Sequence, residues 1–119
     1  MSDCIFCQIV RGELPAQVHY EDERFLAFSP LDLVSKEHLL LIPKAHFADV
    51  FDIDEDTIGE LFSTAKKITF DLVKELGATG VNFLHASGKD AQQSVFHFHL
   101  HIVPRYSQDN LDLWIRNKL

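Results

Sequence analysis

A chain of 119 residues with 46% apolar content, ten phenylalanines included, is long enough for one domain with a substantial core. Its formal charge of −7, from 18 acidic and 11 basic residues, disfavours a nucleic-acid polymer as partner, since Lys66-Lys67, the only adjacent basic pair, falls inside a helical pattern rather than a basic patch. No apolar run approaches the ~20 residues that span a bilayer, and the N-terminus lacks the basic-then-apolar pattern of a secretory leader; a cytoplasmic protein without membrane contact is expected, with Cys4 and Cys7 reduced and suited to a metal or redox role.

The first predicted element is a short helix over Cys4 to Val10, where Ile5, Phe6, Ile9 and Val10 cluster on one side and Gly12 ends the run. Strands follow at Gln17 to Tyr20 and, after the polar turn Glu21-Asp22-Glu23-Arg24, at Phe25 to Phe28. A third covers His38 to Ile42, which Pro43 is expected to end because it lacks a backbone donor. The longest element is a helix from about Glu55 to Leu76, with Ile58, Leu61, Phe62, Ala65, Ile68, Leu72, Val73 and Leu76 at three-and-four spacing. Asp54 suits its N-cap, Glu55 and Asp56 the positive end of its dipole, and Gly77 a left-handed C-cap. Val81 to His85 reads as a strand, Ser87 to Ser94 as a loop, and Val95 to Val103 as a strand closed by Pro104. This order predicts an α+β fold: a mainly antiparallel sheet of about five strands, with one long helix and one or two short ones.

If Val95 to Val103 is strand throughout, His97, His99 and His101 share one face at roughly 6–7 Å intervals, and Phe96, Phe98, Leu100 and Ile102 face the core. One such histidine would read as filler on a half-exposed sheet. Three within five residues do not, because β-branched residues serve a strand better. Two chemistries want imidazoles so arranged: metal binding, with the ion activating a water, and nucleophilic catalysis, with one imidazole attacking and its neighbours handling protons. Three histidines at successive period-two positions do not easily converge on one ion. The two-residue gap between Cys4 and Cys7 supplies half of a tetrahedral site, beside the plainer reading of two half-buried cysteines on a short helix; without a βαβ pattern around them a thioredoxin-like role is disfavoured.

The run His97-Phe98-His99-Leu100-His101-Ile102-Val103 resembles the signature of the histidine triad (HIT) superfamily of nucleotide hydrolases and transferases. Gln93-Ser94-Val95-Phe96 upstream, Pro104-Arg105 downstream, His38-Leu39-Leu40-Leu41-Ile42-Pro43-Lys44-Ala45-His46, Tyr20-Glu21-Asp22-Glu23 and Cys4-Ile5-Phe6-Cys7-Gln8-Ile9-Val10 extend the similarity over nearly the whole chain. The resemblance implies a HIT-like fold, a single HIT domain over 1–119, and a two-step displacement at the α-phosphorus of a nucleotide. It places the nucleophile at His99, whose unshifted pKa near 6.5 leaves much of it neutral in the cytosol. A nucleotidyl-imidazole forms and is resolved by water or another acceptor. His101 is implied as the neighbour that contacts phosphate and manages the proton, His38 as a further active-site histidine, and Gln93 and Ser94 as hydrogen-bond partners of phosphate oxygens.

Some relatives carry a structural zinc on a cysteine pair, a histidine matching His46 and the first triad histidine. The resemblance thus implies a Cys4, Cys7, His46, His97 zinc site that pins the N-terminus to the sheet, with no metal required for the chemical step. The sequence departs from the family where an aspartate usually holds the ribose: Ser29-Pro30 stands there, and Asp32 is the expected substitute. An asparagine usual near Ala86 is also missing, with Ser87 as the replacement donor. Dinucleoside polyphosphates, nucleoside phosphoramidates and adenylylated amines are the implied substrates, and a homodimer the implied assembly. The competing readings are a zinc-dependent hydrolase, whose triad holds a catalytic ion, and a non-catalytic nucleotide-binding protein.

Overall fold

A computed structural model describes residues 4–31, 33 and 35–115. In chain order these form helix α1 (Ile5–Val10), strands β1 (Val18–Glu21), β2 (Phe25–Phe28) and β3 (Leu39–Pro43), helix α2 (Glu55–Leu76), strand β4 (Gly80–Leu84), a 3-10 turn (Lys89–Ala91) and strand β5 (Leu100–Arg105). The five strands make one antiparallel sheet in the order β1-β2-β3-β5-β4. This is the expected α+β HIT-like architecture, with its long and short helices.

The two central strands explain the continuous apolar runs. Phe25, Ala27, Leu39 and Leu41 point to α2 and pack with Leu61, Ala65, Ile68, Leu72, Leu100 and Ile102. The alternate residues Leu26, Phe28, Leu40 and Ile42 face the other way and are covered by Phe6 of α1, with Ile9, Ala16 and Val95 at the margin. A sheet buried on both faces has no polar phase to its alternation. Helix α2 begins and ends where its caps place it: the Asp54 carboxylate accepts from the Thr57 N–H at 3.0 Å, and Gly77 takes φ 74°, with its N–H on Val73 O at 3.1 Å. Its buried stripe is narrower than the apolar periodicity suggests, because Phe62 and Val73 remain 40% and 44% exposed.

Two expectations are corrected. The histidine segment is not strand throughout: β5 starts at Leu100, and 95–97 bends over the end of the sheet. At this end β3 runs on to Pro43 while its pairing with β5 stops at Leu41↔Leu100, so the histidine segment leaves the sheet before Leu100. Phe96 is consequently 50% exposed rather than core, while Phe98, Leu100 and Ile102 are buried as expected. Nor does Pro104 end its strand: it lies within β5 opposite Val81, whereas Pro43 closes β3 as expected, pairing with Phe25 as its last residue. The Pro104 carbonyl accepts from the Ser35 hydroxyl at 2.6 Å. A strand residue's nitrogen and carbonyl point to the same side, so the missing N–H falls where β3 no longer runs and no ladder bond is lost. No helix among the described residues is long and apolar enough to cross a membrane.

Candidate active site and metal centre

The bend before β5 sends neighbouring histidines to different places. His97, fully buried, turns toward α1 and the segment after β3, where Cys4 Sγ and Cys7 Sγ lie 3.3 and 3.5 Å from its Nδ1. His46 Nδ1 is 3.3 Å from Cys7 Sγ, and the four donor atoms all lie within 4.8 Å of one another. Tetrahedral zinc, with bonds of about 2.3 Å to sulfur and 2.0–2.1 Å to nitrogen, holds a sulfur and a nitrogen roughly 3.5 Å apart, so this donor set fits zinc. The opposite ring nitrogen supports that role: His97 Nε2–H donates to the Pro43 carbonyl at 2.7 Å, which leaves the Nδ1 lone pair facing the thiols. Burial is the main cause that pushes the His97 pKa down to about 4 and keeps the ring in its neutral, ligating form. Phe98 N–H donates to Phe47 O at 2.6 Å and so ties the histidine segment to the residue after His46.

His99 has the reverse tautomer. Its Nδ1 lies 2.8 Å from the His97 carbonyl, a group that only accepts, so Nδ1 carries the proton and Nε2 is left with its lone pair. Burial lowers its pKa, partly opposed by that backbone hydrogen bond. The ring borders a cleft of about 1020 Å³ walled by Ile5, Phe6, Ile9, Leu14, Phe28 and Leu40, with Ser94, His101, Gln17 and Ser29 as polar members. Phe6 makes T-shaped ring contacts with both His97 and His99, at centroid distances of 5.9 and 5.3 Å. His101 lines the same cleft, 5.3 Å from the His99 ring, and its Nδ1 lies 2.9 Å from His38 Nε2. Burial lowers both, His101 to about 4, where its histidine neighbours add to the effect.

The structure thus gathers His99, His101 and Ser94 at the cleft, with buried His38 against His101, and Cys4, Cys7, His46 and His97 in the adjoining cluster. Two sequence assignments change. Buried Gln93 uses its amide nitrogen on the carbonyls of Ala48 and Val95 at 2.7 and 3.0 Å, and its oxygen accepts from Gly88 N–H at 2.7 Å, so it has no donor left for phosphate and instead shapes its loop. Gly88 sits there at φ 96°, a conformation only glycine takes readily. Ser87 also lies outside the cleft, accepting from Val50 N–H at 2.8 Å and contacting His85 Nε2. Asp32, expected to replace the ribose aspartate, lies outside the described residues; Ser29 does line the cleft. Sequence reasoning missed His85, which donates to the backbone carbonyl of His99, and the Pro43 carbonyl that orients His97. A solitary histidine on a strand end carries no pattern, and a backbone acceptor carries no sequence signal at all.

An antiparallel α+β sheet that ends in paired imidazoles beside an apolar cleft is the architecture of histidine triad proteins. The sequence model described as the HIT domain matches residues 11–108, and the chain belongs to that family. It is 41% identical over 106 residues to Protein hit of Bacillus subtilis, covering 89% of this chain and 73% of that protein. It is 35% identical over 106 residues to the adenosine 5'-monophosphoramidase hnt1 of Schizosaccharomyces pombe, covering 89% and 77%. Among solved structures, a zinc-bound histidine triad family protein from Mycobacterium smegmatis superposes with a TM-score of 0.89 at 38% identity, covering 93% of this chain and 81% of that one.

Proposed function

We propose that the protein is a nucleotidyl hydrolase or transferase that cleaves at the α-phosphorus of a nucleoside phosphoramidate or dinucleoside polyphosphate through a covalent nucleotidyl-histidine at His99. The observation that carries this reading is the His99 tautomer: Nδ1–H is tied to the His97 carbonyl, and the bare Nε2 belongs to a ring bordering a cleft of about 1020 Å³. Burial keeps the ring neutral, and a neutral imidazole is the nucleophilic form. In the first step Nε2 bonds to phosphorus and the bond to the leaving group breaks. The electron pair departs with an amine nitrogen, which is protonated from water in the open cleft, or with a phosphate oxygen. In the second, water attacks, the P–N bond to His99 breaks, the pair returns to Nε2, and the water's proton passes to solvent in the open cleft. With His38 donating to His101 Nδ1, the His101 Nε2–H faces the substrate, and with the Ser94 hydroxyl it serves phosphate oxygens as charge grows on them. The phosphoramidase activity named for the S. pombe relative supports the phosphoramidate class first.

Zinc fits the Cys4, Cys7, His46, His97 cluster as a structural ion. Four protein donors close the coordination sphere, whereas a catalytic zinc keeps a position open for water, and this favours an imidazole nucleophile over a zinc-activated water. When bound, the ion would brace α1 against the histidine segment; a cytoplasmic setting would keep both thiols reduced for it. Phe62 and Val73 on one side of α2, with Phe83 of β4 in ring contact with Phe62 at 6.1 Å, offer an apolar face for a homodimer, which sedimentation would detect.

The deciding experiment is intact-protein mass after rapid quench with adenosine 5'-phosphoramidate, comparing the native chain with His99→Ala. An acid-labile adenylyl adduct on the native chain alone is the expected result. Turnover without any adduct, abolished by mild chelation, would replace the imidazole nucleophile with a catalytic metal.

A further inference from the structure

We propose that His85 is a positioning residue for the nucleophile and that Ser87 sets the tautomer His85 needs for this; the inference rests on the reading of His99 given above. Strand β4 pairs with β5 from Gly80↔Arg105 to Leu84↔His101 and then stops. Just beyond that point the chain bends into the histidine segment, so the carbonyl of His99 is past the last ladder pair. His85, the next residue of β4's path, fills the gap with its side chain, Nδ1–H donating to His99 O at 2.9 Å.

The tautomer follows from the partners. A carbonyl only accepts, so His85 Nδ1 must hold the proton, and in the tautomer protonated there Nε2 is an acceptor. Ser87 Oγ contacts that nitrogen and, because Nε2 bears no proton in this tautomer, the hydroxyl donates to it while its oxygen accepts the Val50 N–H at 2.8 Å. The relay thus runs from Val50 N–H through Ser87 and His85 to His99 O. The ring is further fixed by stacking on Phe98, with centroids 4.3 Å apart and planes at 27°.

His99 is therefore held twice, by its own Nδ1–H on His97 O and by His85 on its carbonyl. Both constraints act on a residue that lies just before the strand, where ladder hydrogen bonds do not hold the backbone. The direction of Nε2 depends on that backbone, and a misplacement of about 1 Å can cost a reaction on the order of a hundredfold in rate.

The test uses the zinc-loaded full chain and two independent readouts. Long-range nitrogen–proton NMR should show His85 as the Nδ1–H tautomer in the native chain, with a substantial Nε2–H fraction appearing in Ser87→Ala. Rapid-quench kinetics with adenosine 5'-phosphoramidate should show adduct formation about tenfold slower or worse in His85→Phe, which keeps the stacking but loses both hydrogen bonds, with half-saturation little changed. His85→Asn, whose amide can donate to the same carbonyl, should return to within about threefold of native, a rescue that a merely space-filling role would not give. A native Nε2–H tautomer, or His85→Phe forming adduct at the native rate, overturns the inference while the His99 adduct itself stands. No adduct on the native chain removes the nucleophile and the positioning role together, a result distinct from the other two.

Discussion

His97 and His99 are two residues apart, both buried, and chemically identical, yet they meet opposite environments. His97 spends Nε2–H on the Pro43 carbonyl and turns Nδ1 to two thiols; His99 spends Nδ1–H on the His97 carbonyl and keeps Nε2 in reserve beside the cleft. One backbone acceptor per ring selects the tautomer, and the tautomer selects the role, ligand in a closed cluster or nucleophile in an open cleft. Phe6 is the wall they share, in T-shaped contact with both imidazoles.

The sharpest way to separate the two regions is His99→Ala, expected to lower turnover of adenosine 5'-phosphoramidate by about a thousandfold or more while leaving bound zinc, read by elemental mass spectrometry, unchanged. If zinc content fell with activity, the regions would be one site. Phe6→Ala removes the shared wall and should damage both sides: about 3 kcal/mol of stability by denaturant titration, a raised KM and weaker zinc retention. Cys7→Ala should do the reverse of His99→Ala, abolishing stoichiometric zinc and costing about 2 kcal/mol, roughly 10 °C in Tm, with turnover per folded molecule reduced far less than by loss of the nucleophile.

The smallest effect is in pH. Burial holds His101 at about 4, below the ordinary value for the unfolded chain, so between those limits the unfolded chain binds more protons and stability rises with pH. Tm should therefore fall as pH drops from about 6.5 toward 4. His101→Asn should reduce that slope, to which buried His38, His97 and His99 also contribute, without altering zinc content. An unchanged slope would mean that His101 is not the neutral, desolvated partner of His38 described here.

Legibility from sequence tracked how local each cause is. Helix α2 matched its predicted bounds because the periodicity, the Asp54 cap and the Gly77 stop all act within one turn of the residue they govern. Strands β2 and β3 were visible as apolar runs, and the Cys4, Cys7, His46, His97 grouping followed from family resemblance, with the geometry bringing these four together. Pro104 and Phe96 were misjudged because their surroundings depend on where the pairing of β3 with β5 starts and stops, which no neighbouring residue signals. Gln93 and Ser87 were assigned to substrate since amides and hydroxyls suit phosphate; the local backbone claims their polar atoms first, the Ala48 and Val95 carbonyls taking the Gln93 amide nitrogen, and the Gly88 and Val50 N–H groups the Gln93 and Ser87 oxygens.

Residue identity and spacing are enough to specify the antiparallel α+β layout, the long helix and the set of imidazoles and thiols from which a site is built. Which ring nitrogen bears a proton, and so which histidine faces sulfur and which faces the cleft, is set by the carbonyls of Pro43 and His97 once the chain has bent before Leu100. Every residue that folds into that bend carries the same backbone acceptor as any other, so the choice is written in the path of the chain through space and not in the order of its side chains.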